Sequence, residues 1–319
     1  MKYLVVDAFA EEIFGGNPAG VVLLPEGEDY PADDVMVRIA AEFRYSETAF
    51  IKQLSQNDFQ VRYFTPVTEV DLCGHATIGS FCALAHLGIV ADGSKVTAHT
   101  LAGDLAIEVK GRNVMMEMAS PKLVSVISDT TALNELYKVM GLPAGEAVPV
   151  WNDPVTGQSR TLYPAIVSTG LPDIMMPVAS QAALDALAPD MPALAALSDW
   201  YGVTGVHAFT MEAAADAGDG EKETAHARNF GPACGIDEEA ATGTASGAMT
   251  YYLYKNGLLG DEADCMYIQG EAMGRPSVIR AELRKNDAAG PDGAGDPDGD
   301  VCIRVGGSAA VLAEGELYL

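Results

Sequence analysis

The sequence predicts an α+β fold that contains two copies of one domain. Two predicted helices, residues 74–87 and 243–256, carry small or apolar side chains on almost every side, which is typical of helices that are buried all round. The motifs at the start of each helix match each other in order and spacing. We therefore expect two pseudo-symmetric domains, each with a buried central helix.

The other elements follow from hydrophobic periodicity along the chain. Apolar and β-branched runs that end at turn residues predict strands at residues 3–8, 20–24, 47–52, 58–64, 95–100, 105–110, 113–118, 163–169 and 205–212. The residues Gly15-Gly16-Asn17-Pro18 predict a turn between the first two strands. Further helices are predicted at residues 32–43 and 131–140, and one Ala-rich helical stretch at 181–197.

A domain boundary is predicted near Pro121, where the run of strands stops and helical periodicity begins. The first domain would comprise residues 1–118, completed by a last strand at about 308–319, and the second would comprise residues 119–307. Residues 286–300 form an acidic Gly/Pro segment. Its alternating aspartates resemble a calcium loop, but the closing glutamate is missing, so a solvated hairpin tip is favoured.

Composition and charge narrow the function classes. The 319 residues carry a formal net charge of −26, which disfavours nucleic acid and anionic membranes as partners because both need a basic surface. No apolar run is long enough for a membrane span, and the N-terminus lacks the features of a signal peptide. The five cysteines show no CxxC spacing. We therefore expect a reduced, cytoplasmic protein without structural zinc.

An internal repeat supports the duplication. The motif at residues 62–66 (RYFTP) recurs at 228–232 (RNFGP), an offset of 166, and residues 73–77 then align with 242–246 at an offset of 169. Glu69 aligns with Glu238. The alternative is chance similarity, which the common order of the motifs disfavours. The repeat predicts pseudo-twofold symmetry with a site between the two halves.

The repeat also indicates where a ligand would bind. Each central helix begins at a glycine, Gly74 or Gly243, followed by His75 or Thr244. A helix start has unpaired N–H groups and a partial positive charge, and glycine allows close approach to the backbone. Two such starts that face one cleft would suit a small carboxylate substrate.

Several sequence blocks, taken together and in this order, resemble the phenazine-biosynthesis-F-like family. They are VVDAF (5–9), GNPAGVV (16–22), YSETAF (45–50), FTP (64–66) with LCGHAT (72–77), RNFGP (228–232) and EEAATGTA (238–245). The resemblance implies a diaminopimelate-epimerase-like fold, in which each half wraps a mixed β-sheet or barrel around its central helix. It also implies a homodimeric isomerase that moves a proton between carbons of its substrate and uses neither metal nor organic cofactor.

Glu47 is the main catalytic candidate. It lies in a Ser-Glu-Thr stretch beside apolar residues, where a carboxylate in a partly apolar cleft would have a raised pKa and could take and return a proton. A solvated strand glutamate is the alternative from position alone. The resemblance implies that Glu47 is the acid/base and that His75 binds or polarises the substrate.

The second half departs from the family pattern at two site positions. Glu239 stands where the family usually has Asp, and Thr244 where it has Ser. Both residues keep a hydrogen-bonding group, but the identity of the substrate does not follow from the resemblance. We expect Glu239 to be the third catalytic residue, and Asn17, Gly74, Gly243 and Thr244 to bind substrate. We also expect Glu47 and Glu239 to line one cleft, with at least one of them protonated.

Other functions stay open at this point. A two-cysteine racemase would need a thiol from each half, but the repeat partner of Cys73 is Thr242, and Cys234 lies eight residues upstream of that position. A non-catalytic ligand-binding protein on the same fold is a second alternative. A cysteine hydrolase based on Cys73 and His75 is disfavoured, because residues two apart at a helix start point in different directions.

Overall fold

The computed structural model describes residues 1–142, 148–152, 157–212, 223–285 and 301–319. The chain divides into two compact units. Unit 1 comprises Met1–Glu117, Gly274–Val278 and Gly306–Leu319, and unit 2 comprises Met118–Met273 and Ile279–Val305. The sequence predicts residues 274–278 in the second domain, whereas the structure groups them with unit 1. Backbone hydrogen bonds from Val278 to Phe9 (2.9 Å) and from Gly16 to Pro276 (3.2 Å) tie this segment to unit 1.

Unit 1 is built mainly from strands. Its elements are β1 (Lys2–Ala8), β2 (Asn17–Leu23), α1 (Asp33–Phe43), β3 (Thr48–Gln53), β4 (Asp58–Phe64), β5 (Glu69–Val70), α2 (Gly74–His86), β6 (Lys95–Thr100), β7 (Gly103–Lys110) and β8 (Asn113–Glu117). Unit 2 contains β9 (Lys122–Val126), α3 (Thr130–Val139), β10 (Val150–Asn152), β11 (Ser159–Thr161), β12 (Ala165–Ser168), β13 (Pro172–Pro177), α4 (Gln181–Asp185), α5 (Met191–Tyr201), β14 (Val206–Thr210), β15 (Ala225–Gly231), β16 (Ile236–Glu239), α6 (Gly243–Lys255) and β17 (Glu262–Gln269). Two strands follow, β18 (Ser277–Lys285) and β19 (Val301–Glu316).

The sheet of unit 1 is mixed and carries the buried helix α2. Strand β1 pairs antiparallel with β2, β2 parallel with β3, β3 antiparallel with β4, and β4 parallel with β6. Helix α2 packs against β1, β2 and β3, and its residues from His75 to Leu84 are all buried. Gly79 allows the close approach, because a Cβ there would lie 2.6 Å from Cγ2 of Val6.

Unit 2 repeats this strand order. Strand β12 pairs antiparallel with β13, β13 parallel with β14, β14 antiparallel with β15, and β15 parallel with β17. The registers also correspond, since Phe50 lies opposite Arg62 and Ala208 lies opposite Arg228. These arginines are the residues that the sequence repeat aligned. Helix α6 packs on β12 and β13 and is buried from Gly243 to Leu253, so the predicted α+β class with buried central helices is confirmed.

A second layer of helices belongs to unit 2. Apolar residues of β13 and β14, including Ile174, Met176 and Val206, form one core cluster with α3, α4 and α5. No helix in the described ranges is long and apolar enough to cross a membrane.

Some predicted elements differ in their limits. The Ala-rich stretch at 181–197 is two helices, α4 and α5, because the Asp190 side chain caps α5 at Ala193 and Pro192 stands in its first turn. Strand β2 begins at Asn17, inside the predicted turn, and β3 begins at Thr48, so Glu47 directly precedes its strand. The predicted acidic hairpin tip at 286–300 lies outside the described residues.

Candidate active site

Glu47 lies where the connection after α1 enters β3. Its backbone oxygen accepts a hydrogen bond from Gly20 N (3.3 Å), which anchors it beside β2. The side chain is only 13% exposed, and Oε2 lies 3.5 Å from Nε2 of His75. Oε2 is shielded from solvent and has no hydrogen-bond partner among the described residues. A shielded acceptor without a partner costs stability. Such groups in native proteins are often functional.

His75 is the second residue of α2 and is 4% exposed. Its Nε2 lies 3.4 Å from Ser46 Oγ, and its Nδ1 lies 3.4 Å from Cys73 Sγ. The ring is therefore held between the residue that precedes Glu47 and the N-cap of α2. The structure brings the predicted pair Glu47 and His75 together at the Gly74 helix start.

The two central helices begin without a side-chain cap, as α1 does after Ala32, and differ in this from α3, α4 and α5. Helices α3, α4 and α5 each start with a side chain that caps backbone N–H groups, from Asp129, Ser180 and Asp190. The N-cap side chains of α2 and α6, from Cys73 and Thr242, make no such bond. The first-turn N–H groups of these two helices are thus not occupied by a side-chain cap, and helix starts of this kind suit an anionic group.

Glu239 is the last residue of β16 and is half-buried. Thr242 donates its hydroxyl hydrogen to Oε2 of Glu239 (2.7 Å), and the buried Gln269 amide donates to the Glu239 backbone oxygen (2.7 Å). Gln269 Oε1 also accepts from Thr242 N (3.2 Å). Gly243 and Thr244, both buried, form the first turn of α6 immediately after this network. Gln269 could not be predicted as a site residue from the sequence, because no motif surrounds it.

Asn17 is buried at the start of β2. The preceding Gly16 has φ +60°, and a Cβ there would collide with the carbonyl oxygen of Ala8, so only glycine fits. Arg275 donates to the Gly16 oxygen (2.9 Å) and to Oδ1 of the buried Asp7 (2.6 Å). These hydrogen bonds of Arg275 fix the loop that precedes Asn17. The ion pair is not predictable from the sequence, because Asp7 and Arg275 lie 268 positions apart.

Three ligand-type groups cluster at this point of unit 1. One donor atom each from Glu47, Cys73 and His75 lies within 4.8 Å of the others. Thiolate, imidazole and carboxylate are ligands that zinc accepts, so these residues could hold a metal ion. The cofactor-free reaction implied by the family resemblance stays a prediction.

The matching registers identify the counterpart of Glu47 in unit 2. Gly20 N bonds to the backbone oxygen of Glu47, and Ile174 N bonds in the same way to Gly205 (3.0 Å). Each of these partners stands one residue before its strand, so Gly205 occupies the position of Glu47. A Cβ at Gly205 would collide with the carbonyl oxygen of Phe230. Unit 2 therefore has no side chain where unit 1 has its candidate acid/base.

The sequence profile of the phenazine biosynthesis-like protein family matches residues 6–315. The chain belongs to this family. It is 31% identical to the uncharacterized isomerase YfhB of Bacillus subtilis, over 91% of this chain and 92% of that protein. It is 33% identical to trans-2,3-dihydro-3-hydroxyanthranilate isomerase of Pseudomonas chlororaphis, over 88% of this chain and 91% of that protein. The prediction of an isomerase of this family is confirmed.

Solved structures agree with the family and the fold. The phenazine biosynthesis protein of Bacillus anthracis, of the PhzF family, superimposes with a TM-score of 0.81 at 25% identity, covering 100% of this chain and 99% of that one. A probable proline racemase from Agrobacterium radiobacter K84 superimposes with a TM-score of 0.57 at 12% identity, covering 100% and 93%. The second likeness concerns the fold alone, and it supports the predicted epimerase-like architecture.

Proposed function

We propose that this family isomerase moves a proton between two carbons of a small carboxylate substrate, with Glu47 as its single acid/base. The observation that carries the proposal is the shielded Oε2 of Glu47, which lacks a hydrogen-bond partner among the described residues and lies beside His75. A base must reach its proton directly. A carboxylate oxygen already engaged by a cation would be less available for this step.

The proposed step balances within Glu47 and the substrate. The Glu47 carboxylate takes a proton as one substrate C–H bond breaks, and the resulting carboxylic acid returns that proton to a second carbon as the double bond shifts. No oxidant, reductant or further reactant is required. The 13% exposure of the Glu47 side chain limits the exchange of this proton with water.

His75 is proposed to hold the substrate rather than to carry the proton. Its ring already contacts Ser46 and Cys73, which fix its orientation at the start of α2. A helix start favours negative ligand groups. A substrate carboxylate near Gly74 would then meet backbone N–H groups and the imidazole together.

The remaining predicted site residues extend the proposal to substrate binding. Glu239 is held by Thr242, and Gly243 and Thr244 begin α6 next to it. Asn17 follows the loop of unit 1 that Arg275 holds through Gly16. The roles of these residues, and the common cleft expected for them, stay proposals that rest on the family resemblance.

The two-cysteine alternative receives little support. Cys73 is the N-cap of α2, and the N-cap of α6 is Thr242, whose hydroxyl is engaged by Glu239. Cys234 lies instead in a 3₁₀ turn and is exposed. A thiol pair would need a cysteine at both helix starts.

The test is a screen for deuterium incorporation from heavy water. The Pseudomonas relative is named for trans-2,3-dihydro-3-hydroxyanthranilate, so this compound heads a panel of small cyclic and amino-acid-derived carboxylates. Glu239 and Thr244 replace the usual Asp and Ser, which makes the panel necessary. Deuterium at a substrate carbon is expected for at least one compound. Binding of a panel compound with neither carbon-bound label nor isomerised product would favour a non-catalytic ligand-binding protein.

We also propose that the enzyme acts in the cytoplasm as a homodimer, as the family resemblance implies. None of the five cysteines, all of which lie in the described ranges, forms a disulfide, which fits a reducing compartment. Light scattering after size exclusion tests the second part. A single species at twice the 33.4 kDa chain mass is expected, and a monomer at assay concentration would contradict it.

A further inference from the structure

A row of polar side chains crosses one face of the unit 2 sheet. His207 on β14 lies opposite Asn229 on β15, and Asn229 lies opposite Glu239 on β16. On β13, Met175 lies opposite His207. Directly opposed residues share a face, and so do residues two apart on one strand, so Asp173 belongs to the same face as Met175.

Asp173 is the unexplained member of this row. It is 2% exposed, and its Oδ1 has no hydrogen-bond partner among the described residues. The carboxyl accepts one backbone hydrogen bond, from Gly205. No salt bridge to Asp173 occurs within the ranges that the structure describes. A buried carboxyl without a cation is costly when ionised, so its presence points to a function rather than to stability.

Within the described ranges, the titratable groups that act on Asp173 are anionic or neutral. Burial, and then the negative charge of Glu239, raise the pKa of Asp173 to about 8, while the Gly205 N–H opposes the shift. Burial lowers the pKa of His207 to about 4, so this ring is neutral at pH 7. Cys234, in the 3₁₀ turn before β16, has its thiol pKa raised by partial desolvation and by the negative charges of Asp173, Asp199 and Glu239. Strand β12 contributes no titratable residue, and α6 has no charged residue before Lys255.

The position of Asp173 within the duplicated frame is informative. Its carboxyl bonds to the backbone N–H of Gly205, the residue that occupies the position of Glu47 in unit 1. The corresponding place in unit 1 is Ala19, because Gly20 and Ile174 hold the same register position. Unit 1 has an acidic side chain, Glu47, at the start of β3. Unit 2 has no side chain at the equivalent Gly205, and the buried carboxyl of Asp173 on the neighbouring strand β13 bonds to this residue instead.

We propose that Asp173 is a positioning acid for Glu239: its buried carboxyl remains neutral, so Glu239 alone presents negative charge to the substrate. The proposal rests on the proposed function, because it assumes that Glu239 takes part in substrate binding. A second charge in the row would repel an anionic substrate and disturb the carboxylate that Thr242 orients. Asp173 acts through Glu239 and touches no reacting atom.

The first test compares the pH dependence of kcat/KM in the wild type and in Asp173→Asn. Asparagine keeps the shape and neutrality of the protonated acid but cannot ionise. One pH unit above a pKa, about nine-tenths of a group has lost its proton. The wild type should therefore lose about tenfold between pH 6.5 and pH 9, and Asp173→Asn should lose far less over the same interval. An alkaline loss of equal size in both proteins would overturn the proposal.

Two controls make the comparison specific. Asp190→Asn introduces the same substitution at the exposed N-cap of α5, where asparagine caps as well as aspartate, and should keep the alkaline loss. Cys234→Ser removes the nearby thiol and should also keep it. If Cys234→Ser alone abolished the loss, the titrating group would be the thiol and the proposal would be wrong.

A second readout does not depend on turnover. Infrared spectroscopy detects the C=O stretch of a protonated carboxyl, and one component of this band should be present at pH 7, fade near pH 8, and be missing from Asp173→Asn. Its absence from the folded wild type at pH 7 would refute a neutral Asp173. If Glu47→Gln proved active while this band behaved as expected, the proposed function would fail and the protonation of Asp173 would stand.

Discussion

The two units share the same strand pairings but carry their polar side chains at different positions. In unit 2 the row on the α6 face is polar and contains Asp173, His207, Asn229 and Glu239. The register-equivalent row in unit 1 is almost entirely apolar and contains Ala19, Ala49, Tyr63 and Val70. Conversely, unit 1 has Glu47 at its strand start, where unit 2 has Gly205. A duplicated fold therefore keeps its strand pairings while its chemical groups move to different strands.

Structural ion pairs show what the duplication preserves. Arg62 holds Glu69 through two bonds of 2.7 Å, and Arg228 holds Glu238 through bonds of 2.8 and 2.9 Å. Each guanidinium also lies over a phenylalanine two residues further on. These pairs stabilise equivalent places in both units, whereas the candidate catalytic groups have no equivalent. The ion pairs are therefore symmetric between the units, whereas Glu47 and Glu239 lie where the symmetry is broken.

The strongest break in symmetry is Glu47, and its removal should have the largest effect. Glu47→Gln keeps size and hydrogen bonding but cannot carry the proton, so kcat should fall by about 10²–10⁴-fold with the fold intact by circular dichroism. The matched control Glu42→Gln changes the same residue type on the exposed face of α1 and should leave kcat unaltered. Turnover of Glu47→Gln within about threefold of the wild type would remove Glu47 from the mechanism.

Gly205→Ala tests why unit 2 lacks a side chain at this position. The added Cβ would meet the carbonyl oxygen of Phe230, and this overpacking should cost about 3 kcal/mol of unfolding free energy. Gly260→Ala is the control, since its nearest neighbour would lie at 3.8 Å, and it should be nearly neutral. Equal denaturation midpoints for the two variants would show that packing does not exclude a side chain from position 205.

The two arginines allow a direct comparison of the units. Arg228 also donates to the backbone oxygens of Leu184 and Leu187, whereas Arg62 bonds to the exposed Asp33. Arg228→Met should therefore destabilise by about 3 kcal/mol and Arg62→Met by about half as much. Urea denaturation measures both changes in unfolding free energy. A larger loss of stability for Arg62→Met than for Arg228→Met would contradict this expectation.

Cys73→Ala should have the smallest effect. The thiol lies beside His75, but no cysteine occupies the equivalent position at Thr242, so activity should stay within about threefold of the wild type. Inactivation by thiol alkylation, with protection by substrate, would instead reopen the two-cysteine mechanism.

The sequence predicted the parts of this molecule that depend on local pattern. Helices α2 and α6 were found because their apolar residues cover every side, and Glu47 and His75 because they lie in short motifs of a recognisable family. Asp173, Gln269 and Arg275 were missed because each is a single polar residue whose partners come from distant strands. The break between α4 and α5 was missed because alanines mask the capping signal of Asp190. The distant partners of a single polar residue cannot be predicted from that residue and its sequence neighbours.

The central claim is that one base, Glu47, carries the same proton between two carbons. The most direct measurement uses a substrate deuterated at the carbon that loses its proton, with the reaction run in ordinary water and stopped at low conversion. Because the Glu47 side chain is largely shielded, part of the product should carry deuterium at the accepting carbon. Complete replacement by solvent hydrogen in every turnover, as two separate bases would give, would contradict the account.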